Sequence, residues 1–269
     1  MTLKSFLNFT IVGFAAISLL AACSSGDSET ETMEAESESM QAEADVPPNT
    51  LSEQEIEDGW ILLFDGESTE GWRGYQQDSF PESGWVIEDG ALKVQGAGTG
   101  EAGGAGGDIL FDQKFKNFHL SLEWKVSEGG NSGIFYLAQE LEDRPIWHSA
   151  PEMQILDNAN HPDALLGEDG NRQAGSLYDL IPADPQNFRG HGEWNKAEVL
   201  VYRGTVVHFQ NGEPVVEYHL GTPAWEEMVN NSKFADYSDV FGKFEPGYIS
   251  LQDHGDDVWF RNIKLQPRD

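Results

Sequence analysis

Three short stretches of this 269-residue sequence carry side chains suited to moving protons on a neutral, hydroxyl-rich ligand. In Glu152-Met153-Gln154-Ile155-Leu156-Asp157-Asn158, an extended backbone turns Met153 and Ile155 one way, and Glu152 and Gln154 the other. In Tyr248-Ile249-Ser250-Leu251-Gln252-Asp253-His254-Gly255, Ile249 and Leu251 form the apolar set, while Tyr248, Ser250, Gln252 and His254 share the opposite face. The stretch from Phe118 to Val126 puts His119, Ser121, Glu123 and Lys125 on its polar face. Imidazole gains and loses a proton near neutral pH, and a carboxylate is a natural partner for it. Carboxamides match sugar hydroxyls, and aromatic rings match the apolar faces of sugar rings. If the three strands lie side by side in one sheet, that face is a carbohydrate cleft. A merely solvated sheet face is the plainer reading of any one of them.

The elements that must position these residues are strands. Phe118 to Val126 alternates apolar and polar side chains over its whole length. Trp85-Val86-Ile87-Glu88 and Ala91-Leu92-Lys93-Val94 flank Asp89-Gly90, and Val206 to Gln210 and Glu213 to Val216 flank Asn211-Gly212. Both dipeptides accept the positive φ angles of a tight hairpin. Helical patterns are confined to Ser52–Asp58 and Pro223–Asn231. Many short strands with turn-rich joints indicate an all-β sandwich. Gly96 to Gly107 is glycine-rich without the Gly-Lys-Ser/Thr of a phosphate loop, and reads as a loop beside a site.

Composition restricts the partners. With 47 acidic and 16 basic residues the net charge is −31, a field that repels phosphate backbones and argues against nucleic-acid binding. Saline adaptation and cation binding both account for such an excess. The first residues read as an export signal: Lys4 precedes an apolar run over 6–20, too short for a comfortable membrane span, that ends in Leu20-Ala21-Ala22-Cys23. This ending resembles the lipobox of bacterial lipoproteins, with Cys23, the single cysteine, as the lipidation site. Ser24 rather than Asp follows, which favours the outer membrane of a Gram-negative bacterium. The expected organisation is therefore a signal peptide over 1–22, a lipidated and disordered tether over 23–50 and one domain over 51–269. The tether carries eight acidic residues and no basic one.

Several motifs taken together resemble the 3-keto-disaccharide hydrolase domain family. They are Gly59-Trp60-Ile61-Leu62-Leu63-Phe64-Asp65-Gly66 with Gly71-Trp72, Asn131-Ser132-Gly133-Ile134-Phe135, Glu152 to Asn158, His161-Pro162-Asp163, Gly192-Glu193-Trp194-Asn195, Asn211-Gly212 and Leu251 to Gly255. The likeness closes with Val258-Trp259-Phe260-Arg261-Asn262-Ile263 and spans about 59 to 266. It departs from the family pattern at Asn187 to His191 and in the glycine-rich insertion over 97–107. The resemblance implies a concanavalin A-like jelly roll. It also implies cleavage of glycosidic bonds in sugars already oxidised at C3, which needs a separate sugar 3-dehydrogenase to supply the substrate.

Ketone chemistry sets the site's needs. A 3-keto group acidifies the C2 proton, so a base can remove it, the C1 substituent leaves by elimination, and water adds to the enone. The site needs a base, an acid at the glycosidic oxygen and an electrophile at the C3 oxygen. His254 and Glu152 are the candidate proton-transfer pair, with Asp157 a third candidate whose alternative is ordering the turn before His161-Pro162. Glu123, Asn131, Gln154, Tyr178 and Gln252 are assigned to substrate hydroxyls. A divalent cation held by Glu152 and His254 would polarise the carbonyl, although two ligands make a weak signature. His148, His161, His191, His208 and His219 are assigned to loops or the surface. A non-catalytic sugar-binding module remains the alternative function, since jelly rolls serve both ends. A two-carboxylate glycosidase lacks its usual closely spaced acidic strand here.

Overall fold

The computed structural model describes residues 46–96 and 105–269. The export signal, Cys23, the tether up to residue 45 and residues 97–104 lie outside the described residues.

The first seven strands are β1 (Ile61–Leu62), β2 (Trp72–Gly74), β3 (Trp85–Glu88), β4 (Ala91–Val94), β5 (Ile109–Phe111), β6 (Phe118–Val126) and β7 (Asn131–Ala138). They are followed by β8 (Glu152–Leu156), β9 (Asn195–Tyr202), β10 (Thr205–Gln210), β11 (Glu213–His219), β12 (Tyr248–Leu251) and β13 (Val258–Pro267). They form two antiparallel sheets. The eight-stranded sheet runs β11-β10-β9-β6-β13-β4-β3 with β1 also paired to β13, and the five-stranded sheet runs β2-β5-β12-β7-β8.

The core is the apolar half of the alternation. Phe118, Leu120, Leu122, Trp124 and Val126 of β6 meet Ile134 and Tyr136 of β7, Met153 and Ile155 of β8, and Ile249 and Leu251 of β12. Each such large side chain contributes roughly 1.5–3 kcal/mol by leaving water. The expected hairpins are present, and Asp89-Gly90 and Asn211-Gly212 have φ of 51°, 74°, 51° and 86°.

The first helix, α1 (Glu53–Glu57), is capped at Ser52, whose hydroxyl accepts from the Glu55 amide while the Glu55 carboxylate accepts from the Ser52 amide. The folded unit begins slightly before it. Asn49, placed in the tether by composition, is buried and exchanges hydrogen bonds with Asn262 at 2.6 and 2.8 Å.

Two expectations need correction. β6 does not lie beside β8 and β12; it pairs with β9 and β13 in the other sheet. Alternation fixes which face of a strand is apolar, but pairing is set by non-local packing. His208 is not at the surface. β10 turns it to the same side as Val206 and Gln210, where it is fully buried. Its Nε2 meets the Tyr136 hydroxyl at 2.7 Å and its Nδ1 the Gly175 carbonyl at 3.1 Å. Burial lowers its pKa to about 4, so the ring stays neutral and bolts the two sheets together.

The second helix, α2 (Pro223–Asn230), is capped by Thr222 and buries Trp225 and Val229. Trp225 stacks between Tyr218 at 5.1 Å and Phe241 at 5.9 Å, and Phe241 stacks on Phe234 at 4.2 Å. This aromatic column fixes the segment that follows α2. Leu122→Ala should lower the unfolding free energy by about 2–5 kcal/mol in urea titration. A loss below about 1 kcal/mol would mean that the inward face of β6 is misassigned.

Candidate active site

A pocket of about 500 Å³ opens over β7 and β8, on the face of the five-stranded sheet opposite the core. β8 supplies Glu152 and Gln154, β7 supplies Asn131, and the segment after β12 supplies Gln252, Asp253 and His254. Trp147, Phe234 and Tyr237 form an apolar wall, joined by Tyr178 and Lys233. His148 stands behind that wall, stacked on Tyr237 at 3.6 Å. A larger hollow of about 620 Å³ lies at Arg73 and Glu140, but its main charges satisfy one another. Arg73 pairs with Glu140 at 2.7 Å and Asp112 at 2.8 Å, which leaves the smaller pocket as the better candidate.

Glu152 is buried in this pocket. Its strand turns Met153 and Ile155 into the core, so the Glu152 carboxylate faces the opposite β7 strand. A Cβ on Gly133 would lie 1.9 Å from Glu152 Oε1; only glycine leaves room for this carboxylate. Burial raises the Glu152 pKa, the Lys233 ammonium opposes that rise, and Asp108 and Asp163 add to it. The carboxyl group therefore holds its proton well above the ordinary carboxylate range.

Two amides span the distance to His254. With its carboxamide nitrogen turned toward Ser132 and Glu152, Gln154 donates to the Ser132 carbonyl at 3.1 Å and to Glu152 Oε1 at 3.2 Å. Turned the other way, Gln154 reaches Asn131 Oδ1 at 3.4 Å. Asn131 Nδ2 lies 3.3 Å from His254 Nε2, and His254 Nδ1 lies 3.9 Å from Asp256 Oδ2. Glu152, Gln154, Asn131, Gln252 and His254 thus share one pocket, and Tyr178 joins them from its loop. The Tyr178 hydroxyl donates to Asp163 Oδ2 at 2.8 Å, and its ring carries the Lys233 ammonium 3.9 Å from its centroid. Arg172 fixes Asp163 from the other side at 2.7 Å.

Two sequence-based site residues stand elsewhere. Glu123 is on the outer face of the eight-stranded sheet, where its carboxylate accepts from Arg261 Nε at 2.6 Å. It is removed from the sugar-binding set because its strand belongs to the other sheet. Asp157 is fully buried outside the pocket. It accepts from the Gly129 amide at 2.8 Å, the Ala159 amide at 3.1 Å and Asn160 Nδ2 at 2.7 Å. Burial works to raise its pKa, but these hydrogen bonds hold it below the usual value, so it orders the turn as an ionised anchor.

The pocket also holds residues that sequence reasoning passed over. Asp108 lines it, accepts from the Asp253 amide at 3.0 Å, and has its pKa pushed up by burial to about 7. Asp253 in turn gathers the Gly106, Gly107 and Gly255 amides at 3.0 to 3.1 Å. The signal for Asp108 was its place between a glycine-rich stretch and the apolar Ile109-Leu110. Lys233 had no comparable signal, being one lysine beyond a short helix.

The metal assignment changes as well. Among the described residues, the ligand atoms of His161, His254 and Asp256 lie within 4.8 Å of one another, and Glu152 is not part of the group. His161 Nδ1 already accepts from the Asp163 amide at 3.1 Å and Asp256 Oδ2 from the Asn131 amide at 3.1 Å. Gly133→Ala should leave the fold intact by circular dichroism yet displace Glu152 and remove most turnover. Unchanged turnover would mean that the Glu152 carboxylate need not occupy the space beside Gly133.

Comparison with known proteins identifies the family and the fold. The model of the 3-keto-alpha-glucoside-1,2-lyase-like domain matches residues 59–266. A 3-keto-disaccharide hydrolase of Bacteroides thetaiotaomicron is 54% identical, the match covering 79% of each chain. A crystal structure of a candidate glycosyl hydrolase from Parabacteroides distasonis superposes with a TM-score of 0.72 at 29% identity. That match covers 83% of this chain and all of the other. A second candidate glycosyl hydrolase from the same organism, at 22% identity and a TM-score of 0.57, shares the fold. The matched span takes in both sheets and every strand that borders the pocket, and the chain belongs to the 3-keto-alpha-glucoside-1,2-lyase-like domain family.

Proposed function

We propose that this protein cleaves 3-keto-disaccharides by elimination across C1 and C2, followed by addition of water. The observation that carries the reading is the buried Glu152 carboxyl group, its pKa raised by burial, in one pocket with His254. The curated relative at 54% identity, a 3-keto-disaccharide hydrolase, supports the substrate class.

His254 removes the C2 proton. The C2–H electrons form a C2=C3 enolate and the negative charge moves to the C3 oxygen. As the carbonyl re-forms, the pair shifts to C1=C2 and the C1–O bond breaks. Glu152 delivers its proton to the departing oxygen, a role that suits a carboxyl group kept neutral by burial. The hydrogen taken by His254 exchanges with solvent. Water then adds across the enone, its oxygen bonding C1 as ionised Glu152 takes its proton. His254 returns a solvent-derived proton to C2, which yields the 3-keto monosaccharide and restores both groups. Gln154, Asn131, Gln252 and Tyr178 hold hydroxyls, and Trp147, Phe234 and Tyr237 offer their faces to the sugar rings.

The direct test is incubation with a 3-keto-disaccharide prepared with a separate sugar 3-dehydrogenase. Glu152→Gln and His254→Ala should each lower turnover by about two to four orders of magnitude. Losses below tenfold would contradict the assignment. An acid is active while protonated, and the Glu152 pKa is raised. Turnover should therefore persist through neutral pH and decline only as pH rises past that raised value. This alkaline limb should vanish in Glu152→Gln; if it survives unchanged, the limb belongs to another group.

The same proposal includes lipid anchoring outside the cytoplasm at the outer membrane of a Gram-negative bacterium, which the lipobox-like Leu20-Ala21-Ala22-Cys23 supports. Cys23→Ser should shift the protein from the membrane to the soluble fraction. Equal membrane association of the variant would contradict lipid anchoring.

A further inference from the structure

Elimination places negative charge on the C3 oxygen, and the residues assigned so far leave that charge without a cation. Gln154, Gln252 and Asn131 are neutral. Arg172 is committed to Asp163 and Asp179, and Arg261 and Lys125 belong to the other sheet. Among the described pocket residues, Lys233 is the one lysine or arginine.

Its position is built rather than incidental. Phe234, the next residue, is buried and stacked on Phe241, which continues through Trp225 to Tyr218. The Ser232 hydroxyl donates to the Val229 carbonyl at 2.8 Å and accepts from the Phe234 amide at 3.1 Å, closing the turn that projects Lys233. The ammonium then lies 3.9 Å from the Tyr178 ring centroid and 5.2 Å from that of Phe234. Tyr178 is itself held by Asp163.

We propose that the Lys233 ammonium receives the C3 carbonyl oxygen of the substrate and stabilises the enolate charge that forms there when the C2 proton leaves. This assignment rests on the elimination reading above and adds its missing electrophile. The charge balance favours it. Among the described residues no carboxylate forms a salt bridge with the ammonium, since Asp163 and Asp179 pair with Arg172, and burial lowers the Lys233 pKa against the opposing pull of nearby carboxylates. A cation poorly compensated in the resting site gains most when an oxyanion develops beside it, so its stabilisation is largest in the transition state. Lys233 stays protonated throughout; the proton leaving C2 goes to His254 and the proton reaching the leaving group comes from Glu152.

The experiment compares Lys233→Met, Lys233→Arg and Glu152→Gln on a 3-keto-disaccharide and on 4-nitrophenyl 3-keto-glucosides, whose leaving group departs without a proton. Lys233→Met should lose about 10²–10³-fold in kcat on both substrates with little change in KM, because its role precedes departure of the leaving group. Lys233→Arg should recover most of that loss, and thermal unfolding of both variants should match the parent. Glu152→Gln should instead be rescued by the nitrophenyl leaving group. Lys233→Met within threefold of the parent, or rescued by nitrophenolate as Glu152→Gln is, overturns the assignment while leaving elimination standing. A parent enzyme that cleaves neither substrate overturns the elimination reading and the assignment together.

Discussion

The Glu152 carboxyl group occupies a place where neither water nor a fixed counter-ion fully compensates its charge, and much of the local architecture follows from that constraint. β8 must keep Met153 and Ile155 in the core, which sends Glu152 to the other face. β7 must give up a side chain at Gly133 to admit the carboxylate. Asp163 and Asp108 add negative potential around it, and Lys233 moderates it. The balance keeps a proton on Glu152 at neutral pH, a condition that an exposed glutamate cannot meet.

The two-sheet frame makes that placement rigid. The eight-stranded sheet carries no pocket residue from its strands; it backs the core and lets the five-stranded sheet spend its other face on polar groups. The buried Tyr136, His208 and Tyr218 cluster ties the sheets together across the core. Loops then finish the site. The segment after α2 lays an aromatic wall and a cation over that face, and Asp253 gathers glycine amides beside Asp108.

Much of this was legible in the sequence because alternation is a local property. The inward residues of β6, β8 and β12, both hairpin turns and both helices follow from spacing and turn chemistry. Glu152, Gln154, Gln252 and His254 stood out as polar groups opposite apolar ones, and they do share the pocket. Glu123 satisfied the same rule and failed, because strand pairing is decided by contacts far apart in sequence: β6 meets β13 across more than 130 residues, as Glu123 meets Arg261. Asp157 fell on the turn side of its two alternatives because three donors converge on it. His208 had a readable signal in its alternation with Val206. Lys233 had none, since its place depends on an aromatic stack assembled from separate elements.

Removal of the C2 proton is the step that Glu152, His254 and their setting are arranged to serve, so the fate of that hydrogen tests the account most directly. The enzyme is run on a 3-keto-disaccharide in D2O, and the newly released 3-keto monosaccharide is read by NMR at early times, before the free ketone exchanges on its own. Elimination followed by hydration predicts deuterium at C2 of every product molecule formed. Product that retains its original C2 hydrogen would mean direct displacement at C1, and would contradict the mechanism.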